Sequence, residues 1–228
     1  MLPDFNEEVF QNALGGRQLY FIGDSVLMQQ RVRLKCDLKN ASLVKSIRVS
    51  HALHFKNRLH ILARLSSDCI AIVNVGLHYN SAKSYARFLA DFERECLKKR
   101  CTNAFIVWQE TTSQHFPYSK NGYFRLRGPC KSGCVAMRRT VLLKGDFRNQ
   151  MANELMEKYR VPVLRVWELT QGAHDMHVQF NSKSNVCDCT HFCNTALGVF
   201  RAFNRILQDW LLWNSPSSTS YRYQVPGN

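Results

Sequence analysis

The segment "GRQLYFIGDS", residues 16–25, gives the clearest indication of the fold of this chain. It contains a short apolar run that stops at Gly23 and is followed by polar residues. Such a run, bounded by turn residues, is typical of a buried β-strand. Gly23 permits a sharp turn at the strand end, and Val26, Leu27 and Val32 supply apolar positions for a helix after it. The segment therefore predicts a strand, a tight turn and a helix.

The same alternation of strand and helix continues along the chain. Further strands are predicted at residues 46–50, 68–76, 103–110 and 161–169. Between and after them, apolar side chains recur at helical spacing, as Tyr85, Leu89, Phe92 and Cys96 do. Alternation of this kind predicts a mostly parallel sheet with helices on both faces, which is a three-layer α/β/α fold.

Length and composition fit one globular domain. The chain has 228 residues, which suffices for a single sizeable core. We expect one domain over residues 1–213 and a polar tail over 214–228. No apolar run is long enough to span a bilayer, and the acidic start "MLPDFNEEVF" lacks the apolar segment of a signal peptide.

The chain is strongly basic, with a formal net charge of +14. Its lysines and arginines are spread out, apart from a short cluster at residues 98–100, and no nucleic-acid-binding motif accompanies them. We therefore expect no nucleic-acid partner. A basic surface suits acidic partners such as anionic polysaccharide, although a solvated surface without a dedicated ligand explains the charge equally well.

Cysteine usage points to an oxidising compartment. The nine cysteines are spread over the whole chain, which favours disulfides over a compact redox motif. Their odd number leaves at least one thiol unpaired. The tripeptide Asn40-Ala41-Ser42 is a glycosylation sequon and agrees with the same compartment.

The segment "NVCDCTHFCN", residues 185–194, allows more than one interpretation. In an extended conformation one face would carry Cys187, Cys189, His191 and Cys193. With Cys130 and Cys134 they could form a zinc site, but one intervening residue does not match the usual ligand spacing of roughly two to four. Disulfides from this segment to Cys130 or Cys134 fit better, so we expect no metal.

Ligand sites of parallel α/β sheets lie beyond the carboxyl ends of the strands. Ser25 is placed there, at a helix N-terminus, where its amide points to a developing oxyanion. A serine needs a base to become a nucleophile, and Asp188 and His191 could supply a carboxylate and an imidazole from one turn or loop. Helix capping is the simpler alternative for "GDS" taken alone.

Two other strand ends carry polar residues. After the third strand, the Gly76 amide and the side chains of His78 and Asn80 could complete an oxyanion hole with Ser25. After the fourth, Gln114 and His115 are candidate substrate contacts. Both groups could also be ordinary polar loop residues.

Several separated motifs together resemble one family. They are "LPDFNEEVFQNALGGRQLYFIGDSVLMQQ", "IVNVGLHYN", "WQETTSQHFP" and "DCTHFC". They resemble, in the same order, the sequence blocks of the trichome birefringence-like and PC-esterase group, a branch of the SGNH (GDSL-type) hydrolase superfamily. The pairing of GDS near the start with D-C-x-H-[WF]-C near the end is the most specific part of this resemblance.

The resemblance implies a flavodoxin-like α/β/α fold with Ser25 as nucleophile, His191 as base and Asp188 as its partner. It also implies disulfides around this site, at the positions of Cys189 and Cys193. Members of this group work in the secretory pathway, often in the Golgi lumen. They transfer acetyl groups to polysaccharides or act as acyl esterases on glycans.

The sequence departs from the superfamily at His78, which stands where Gly-x-Asn has asparagine, although plant members of the group also have histidine there. It departs from the plant members at "NTALGVF" after Cys193, which lacks their "LPG" continuation. The identity of the acceptor in the plant members therefore cannot be transferred to this chain. We predict a cofactor-independent O-acyltransferase with an acetylated donor and a glycan acceptor. A carbohydrate acyl esterase and a catalytically silent glycan-binding relative are the alternatives.

Overall fold

In the part of the chain that the structure describes, five parallel strands form the central sheet. A computed structural model describes residues 4–49, 52–117, 133–181, 186–195 and 198–214. The strands are β1 Gln18–Gly23, β2 Val44–Arg48, β3 Cys69–Asn74, β4 Phe105–Gln109 and β5 Val163–Leu164. They lie in the order β2-β1-β3-β4-β5, and all four pairings are parallel. Central β3 is buried along its whole length, as expected for a strand covered on both faces.

Helices cover the two faces of this sheet. They are α1 Glu7–Leu14, α2 Ser25–Asp37, α3 Ala52–Leu62, α4 Ala82–Phe92, α5 Arg139–Lys144, α6 Phe147–Lys158, α7 Trp167–Thr170 and α8 Val199–Trp213. A π-helical turn, Glu93–Leu97, continues α4. The α/β fold predicted from the sequence is confirmed. None of the described helices is both long and apolar enough to span a membrane.

Each face of the sheet has its own apolar core. Helices α3, α4 and α6 cover one face with Phe55, Tyr85, Phe88, Ala152 and Met156. Helices α1, α2 and α8 cover the other with Phe10, Leu27, Leu34, Leu207 and Leu211. Burial of one such large side chain stabilises the fold by about 2 kcal/mol. These two cores hold the carboxyl ends of the strands at one edge.

The strand order reverses between β1 and β3, which creates a crevice at their carboxyl ends. Gly23 and Asn74 are register partners at this point. A side chain on Gly23 would put its Cβ 2.2 Å from the Asn74 carbonyl oxygen, so the two chains approach this closely only with glycine. The turn after β1 thereby delivers Ser25 to the crevice.

An antiparallel hairpin packs outside the parallel sheet. Its strands are β6 His177–Asn181 and β7 Val186–Phe192, and a short 3₁₀ turn, His174–Met176, precedes it. The sequence predicted a turn or loop for Asp188 and His191, so their position within a strand is a difference. The zinc interpretation assumed an extended segment 187–193, and β7 extends as far as Phe192.

Three further differences concern the length of one strand, the exposure of one side chain and several helices. The strand predicted at residues 161–169 ends at Leu164, because the amides of Val166 and Trp167 donate to Glu110 instead of a neighbouring strand. Val32 is exposed rather than part of the α2 core face. Helices α1, α3, α5 and α7 were not predicted. Of the predicted tail, residues 215–228 lie outside the described residues.

Candidate active site

Ser25 is the first residue of α2 and follows β1 by two positions. The side chain of Asp24 caps this helix and accepts hydrogen bonds from the amides of Val26 and Leu27, at 3.2 and 3.4 Å. Among the described residues, nothing accepts a hydrogen bond from the Ser25 amide. That amide lies at the positive end of the helix, where it can donate to an anionic oxygen in the crevice.

The structure brings Ser25, His191 and Asp188 into one hydrogen-bonded series. The Oγ atom of Ser25 lies 2.7 Å from Nε2 of His191, across 166 positions of sequence. Nδ1 of the same imidazole lies 2.9 Å from Oδ2 and 3.0 Å from Oδ1 of Asp188. An ionised carboxylate only accepts, so Nδ1 carries the proton and Nε2 can accept the hydroxyl proton of Ser25. This is the arrangement of a nucleophile, a base and a base-orienting group.

A local kink lets one strand supply both Asp188 and His191. Residues three apart on a regular strand point to opposite faces. Here Oδ1 of Asp188 accepts from the amides of Thr190 and His191, at 3.3 and 3.0 Å. These bonds to the residues two and three positions ahead are those of an Asx turn, and the hairpin register shifts between His177 and Gln179. The bend turns the imidazole back over the carboxylate.

The carboxyl group of Asp188 is held in its charged form. Partial burial opposes ionisation, but hydrogen bonds from the side chain and amide of His191 outweigh it. The pKa of Asp188 therefore lies below its ordinary value. A charged carboxylate at this place favours the Nδ1–H tautomer of His191 and would stabilise an imidazolium.

The loop after β3 carries the other predicted oxyanion-hole residues. A Cβ on Gly76 would lie 1.8 Å from Oγ1 of Thr111, so only glycine fits there. The amides of Gly76 and Leu77 hydrogen-bond the Asp24 carboxylate, at 3.4 Å for Leu77. The Gly76 amide is thus engaged within the protein, unlike that of Ser25. Further along this loop, His78 and Asn80 are exposed.

Asp24 is a functional candidate that the sequence analysis left out of the site. Its side chain is 1% exposed, and burial raises its pKa while amide hydrogen bonds from Leu27 and Leu77 lower it. Through these amides one carboxyl group joins the N-terminus of α2 to the loop after β3. The signal in the sequence was the favourable N-cap residue immediately before Ser25.

A buried ion pair supports the same loop from the other side. Arg148 is fully buried and donates from Nε and Nη2 to the carboxylate of Asp146. Its Nη1 lies 3.5 Å from the Gly76 carbonyl oxygen. Removing either partner of such a pair leaves an uncompensated buried charge, so the loop after β3 is fixed by the core.

Gln114 and His115 lie inside the protein, against their predicted role as substrate contacts. Their exposed fractions are 2% and 0%. Nε2 of Gln114 donates to Oγ1 of Thr190 at 2.7 Å, and the His115 amide donates to the Cys189 carbonyl at 3.1 Å. The polar loop after β4 therefore supports the strand that carries His191. Loop polarity alone could not distinguish this arrangement from an exposed contact.

One disulfide attaches the hairpin to the loop after β4, and another closes the turn at the end of α4. Cys134 pairs with Cys189, which is one of the two connections expected from this segment. Cys96 pairs with Cys101, and Cys187 is also disulfide-bonded. Cys193 was expected in a disulfide from the family resemblance, but it is a free thiol, as are Cys36 and Cys69. Cys130 lies outside the described residues.

The disulfides bear on the zinc interpretation. Cys187 and Cys189 are bonded to other cysteines, so neither sulfur is available as a thiolate ligand. In addition, Nδ1 of His191 faces Asp188 and its Nε2 faces Ser25. The four alternating side chains therefore do not form one set of zinc ligands in this structure.

Comparisons with known proteins extend only to the fold. No family model matches the chain, and no curated protein matches it. One similar structure is the acetyl xylan esterase AlAXEase, with a TM-score of 0.45, 10% identity and coverage of 86% of this chain and 97% of the other. Another is described as a platelet activating factor from Streptococcus pneumonia, with a TM-score of 0.44, 13% identity and coverage of 90% and 92%. Likeness at this level carries no information about activity.

Proposed function

We propose that the protein is a serine enzyme that transfers an acyl group, in particular acetyl, through an acyl-Ser25 intermediate. The observation that carries this proposal is the series of hydrogen bonds from Ser25 to His191 and on to Asp188. Helix capping does not explain why the His191 imidazole lies 2.7 Å from the Ser25 hydroxyl. The capping in this structure is done by Asp24, which leaves the Ser25 hydroxyl for other chemistry.

In the first half of the reaction Ser25 takes the acyl group from a donor ester. Oγ attacks the ester carbonyl carbon while Nε2 of His191 accepts the hydroxyl proton. The carbonyl electrons move to the oxygen, and the Ser25 amide donates to that oxyanion. When the tetrahedral intermediate collapses, the bond to the alkoxide leaving group breaks and His191 protonates it.

In the second half an acceptor hydroxyl takes the acyl group. His191 accepts the proton of the acceptor hydroxyl while the acceptor oxygen attacks the acyl carbon. The bond from the acyl carbon to Oγ of Ser25 then breaks, and His191 returns the proton to Oγ. If the acceptor is a sugar, the reaction is O-acyl transfer; if it is water, the reaction is ester hydrolysis. We favour transfer to a glycan hydroxyl, which the resemblance to the PC-esterase group supports, with hydrolysis as the second candidate.

Labelling with a fluorophosphonate probe tests the nucleophile. We expect covalent labelling of the wild-type protein and none of Ser25→Ala, since phosphonylation requires an activated serine. Ser42→Ala is the matched control. Because Ser42 is an exposed serine without an imidazole partner among the described residues, this variant should label like the wild type. A folded wild-type protein that takes up no label would support a silent glycan-binding protein instead. A Ser25→Ala variant that labels equally would rule out Ser25 as the nucleophile.

The fate of the acyl group separates the two reactions. We would incubate the protein with 4-nitrophenyl acetate and neutral or anionic oligosaccharides, then measure free acetate and acetylated sugar by mass spectrometry. Transfer predicts acetyl esters on the sugar at the expense of free acetate. Release of acetate alone, unchanged by any oligosaccharide, would assign hydrolysis.

We further propose that the protein matures in the secretory pathway. Its disulfides Cys96–Cys101 and Cys134–Cys189 support this proposal, and Asn40 of the sequon is exposed. Expression in eukaryotic cells should therefore give a glycosidase-sensitive mass that Asn40→Gln abolishes. A fully reduced, unglycosylated protein in those cells would contradict it.

A further inference from the structure

Two buried imidazoles lie behind the backbone of His191. Nδ1 of His115 is 2.7 Å from Nε2 of His177, and the two residues are 0% and 1% exposed. Nδ1 of His177 is 3.1 Å from the His191 carbonyl oxygen. The His177 ring also stacks on Phe192, with centroids 4.2 Å apart. This chain of contacts ends on the same residue whose imidazole faces Ser25.

The hydrogen bond to His191 dictates which tautomer His177 adopts. A carbonyl oxygen only accepts, so this contact is a hydrogen bond only when Nδ1 of His177 carries a proton. Burial, with a further contribution from the positive charge of His115, lowers the pKa of His177 to about 3. His177 is therefore neutral near pH 7, and its Nε2 has only a lone pair for its neighbour. The proton between the two rings must then belong to Nδ1 of His115.

With both rings neutral, only two ring protons are available for three contacts, so one contact lacks its donor. If His115 held its only proton on Nε2, two nitrogen lone pairs would face each other at 2.7 Å. That repulsion is relieved only if His177 moves its proton to Nε2, and the His191 carbonyl then loses its donor. The tautomer of His115 thus decides whether the backbone of His191 is held.

We propose that His177 is a positioning residue for His191, and that His115 fixes the tautomer through which it acts. The role of His191 as a base rests on the proposed function. The neighbouring contacts act in the same direction, because the His115 amide holds the Cys189 carbonyl and Gln114 holds Thr190. Three successive residues of β7, Cys189, Thr190 and His191, are therefore each contacted by a different buried group.

The outer nitrogen of His115 accounts for the remaining contact. Nε2 of His115 lies 2.9 Å from the Gln171 carbonyl oxygen, which it can donate to only when the ring holds two protons. Burial lowers the pKa of His115, whereas the contact with the Gln171 carbonyl raises it. On protonation, His115 gains its second proton at Nε2. Its Nδ1–H is present in both of its protonation states, so titration leaves the bond to His191 in place.

Nitrogen-15 NMR of the histidine rings tests the tautomers directly. Across about pH 5 to 8, where ordinary histidines titrate, we expect His177 to remain protonated on Nδ1 and unprotonated on Nε2. We expect His115 to keep its Nδ1 proton throughout. An Nε2–H tautomer of His177 would overturn the proposal. The measurement needs no turnover, so it stands apart from any failure of the proposed function.

Paired substitutions test the positioning role. In His177→Asn the amide nitrogen occupies the place of Nδ1 and can still donate to the His191 carbonyl, whereas His177→Leu has no donor. Because small displacements of a reacting group can lower rates by about 100-fold, we expect His177→Leu to reduce kcat about 10- to 100-fold with KM unchanged. We expect His177→Asn to recover most of this loss.

The control is His60→Leu, since His60 is exposed on α3. It should leave kcat unchanged. Wild-type kcat in His177→Leu, or equal losses in folded His177→Leu and His177→Asn, would overturn the positioning role. If His177→Leu does not fold, the kcat of His177→Asn together with the ring tautomers still decides the question.

Discussion

The two halves of the candidate active site are built in different ways. Ser25 belongs to the parallel sheet, where β1, the N-terminus of α2 and the loop after β3 are fixed by close packing at Gly23 and by the Asp24 carboxyl group. Asp188 and His191 belong to a hairpin outside that sheet. A disulfide, buried imidazoles and side-chain hydrogen bonds hold this hairpin in place. The core therefore positions Ser25, and the disulfide and hydrogen bonds of the hairpin position Asp188 and His191.

The largest effect is expected from the carboxylate partner of His191. Asp188→Asn replaces an acceptor by an amide that can donate to Nδ1 and so favours the wrong imidazole tautomer. We expect acetyl-ester turnover to fall by about 10³- to 10⁴-fold with a similar melting temperature. Asp175→Asn, an exposed acid close to the same hairpin, is the control and should keep most of its activity. Comparable activity in the two variants would remove Asp188 from the mechanism.

Gly23 tests the packed half. Its added Cβ would lie 2.2 Å from the Asn74 carbonyl and 2.8 Å from a Leu27 methyl. We expect Gly23→Ala to lower the free energy of unfolding by about 3 kcal/mol or more, since backbone has to move. At Gly172 nothing lies within 4 Å of an added Cβ, so Gly172→Ala should change stability little. Urea titrations that gave both variants the same stability would contradict close packing at Gly23.

The disulfides test the cross-linked half. Replacing Cys134 and Cys189 together by alanine removes a link across 55 positions, and we expect a loss of about 2–4 kcal/mol together with reduced turnover. Cys96 and Cys101 are only 5 positions apart, so their joint replacement should destabilise less and leave turnover unchanged. Thermal melts and acetyl-ester assays on both double variants measure this difference. Equal losses of turnover would show that the hairpin has no special need of its disulfide.

The smallest effect concerns acid stability. The pKa of Asp188 is lower in the folded protein than in the unfolded chain. Its contribution to the free energy of unfolding is therefore complete at a pH above its pKa in the unfolded chain, about 3.9. The contribution is lost as the pH falls through the lower, folded value. Unfolding titrations from about pH 6 to 2 should show a loss of about 1 kcal/mol or less that is absent in Asp188→Asn. The same acid dependence in that variant would assign it to other carboxylates.

The sequence predicted the packed half better than the cross-linked half. The apolar runs of β1 and β3 and the helical spacing of Tyr85 and Phe92 are local patterns, and they define buried elements. The segment around Asp188 and His191 has no such pattern, because cysteines and polar residues alternate there. Its strand depends on pairing with β6, which no local pattern reveals. The two site residues were nevertheless found, since their chemistry and spacing are local.

Buried polar residues were the hardest to place. Gln114 and His115 follow a strand and look like crevice residues, but β7 packs over them. Whether a polar loop is covered depends on an element more than seventy positions away, as the contact between Gln114 and Thr190 shows. Helix α1 was missed for another reason. Its cap at Asn6 and the left-handed Gly15 are visible signals, but the helix has only eight residues.

The contact between Ser25 and His191 spans 166 positions, and this separation has a consequence for biosynthesis. A nascent polypeptide can complete β1 and α2 long before the ribosome has made residue 191. Until β7 has been made and has packed beside α2, Ser25 lacks the imidazole that lies 2.7 Å from it. Under the proposed function, an unfinished chain therefore has no activated serine, and ester chemistry begins only after the hairpin has folded onto the sheet.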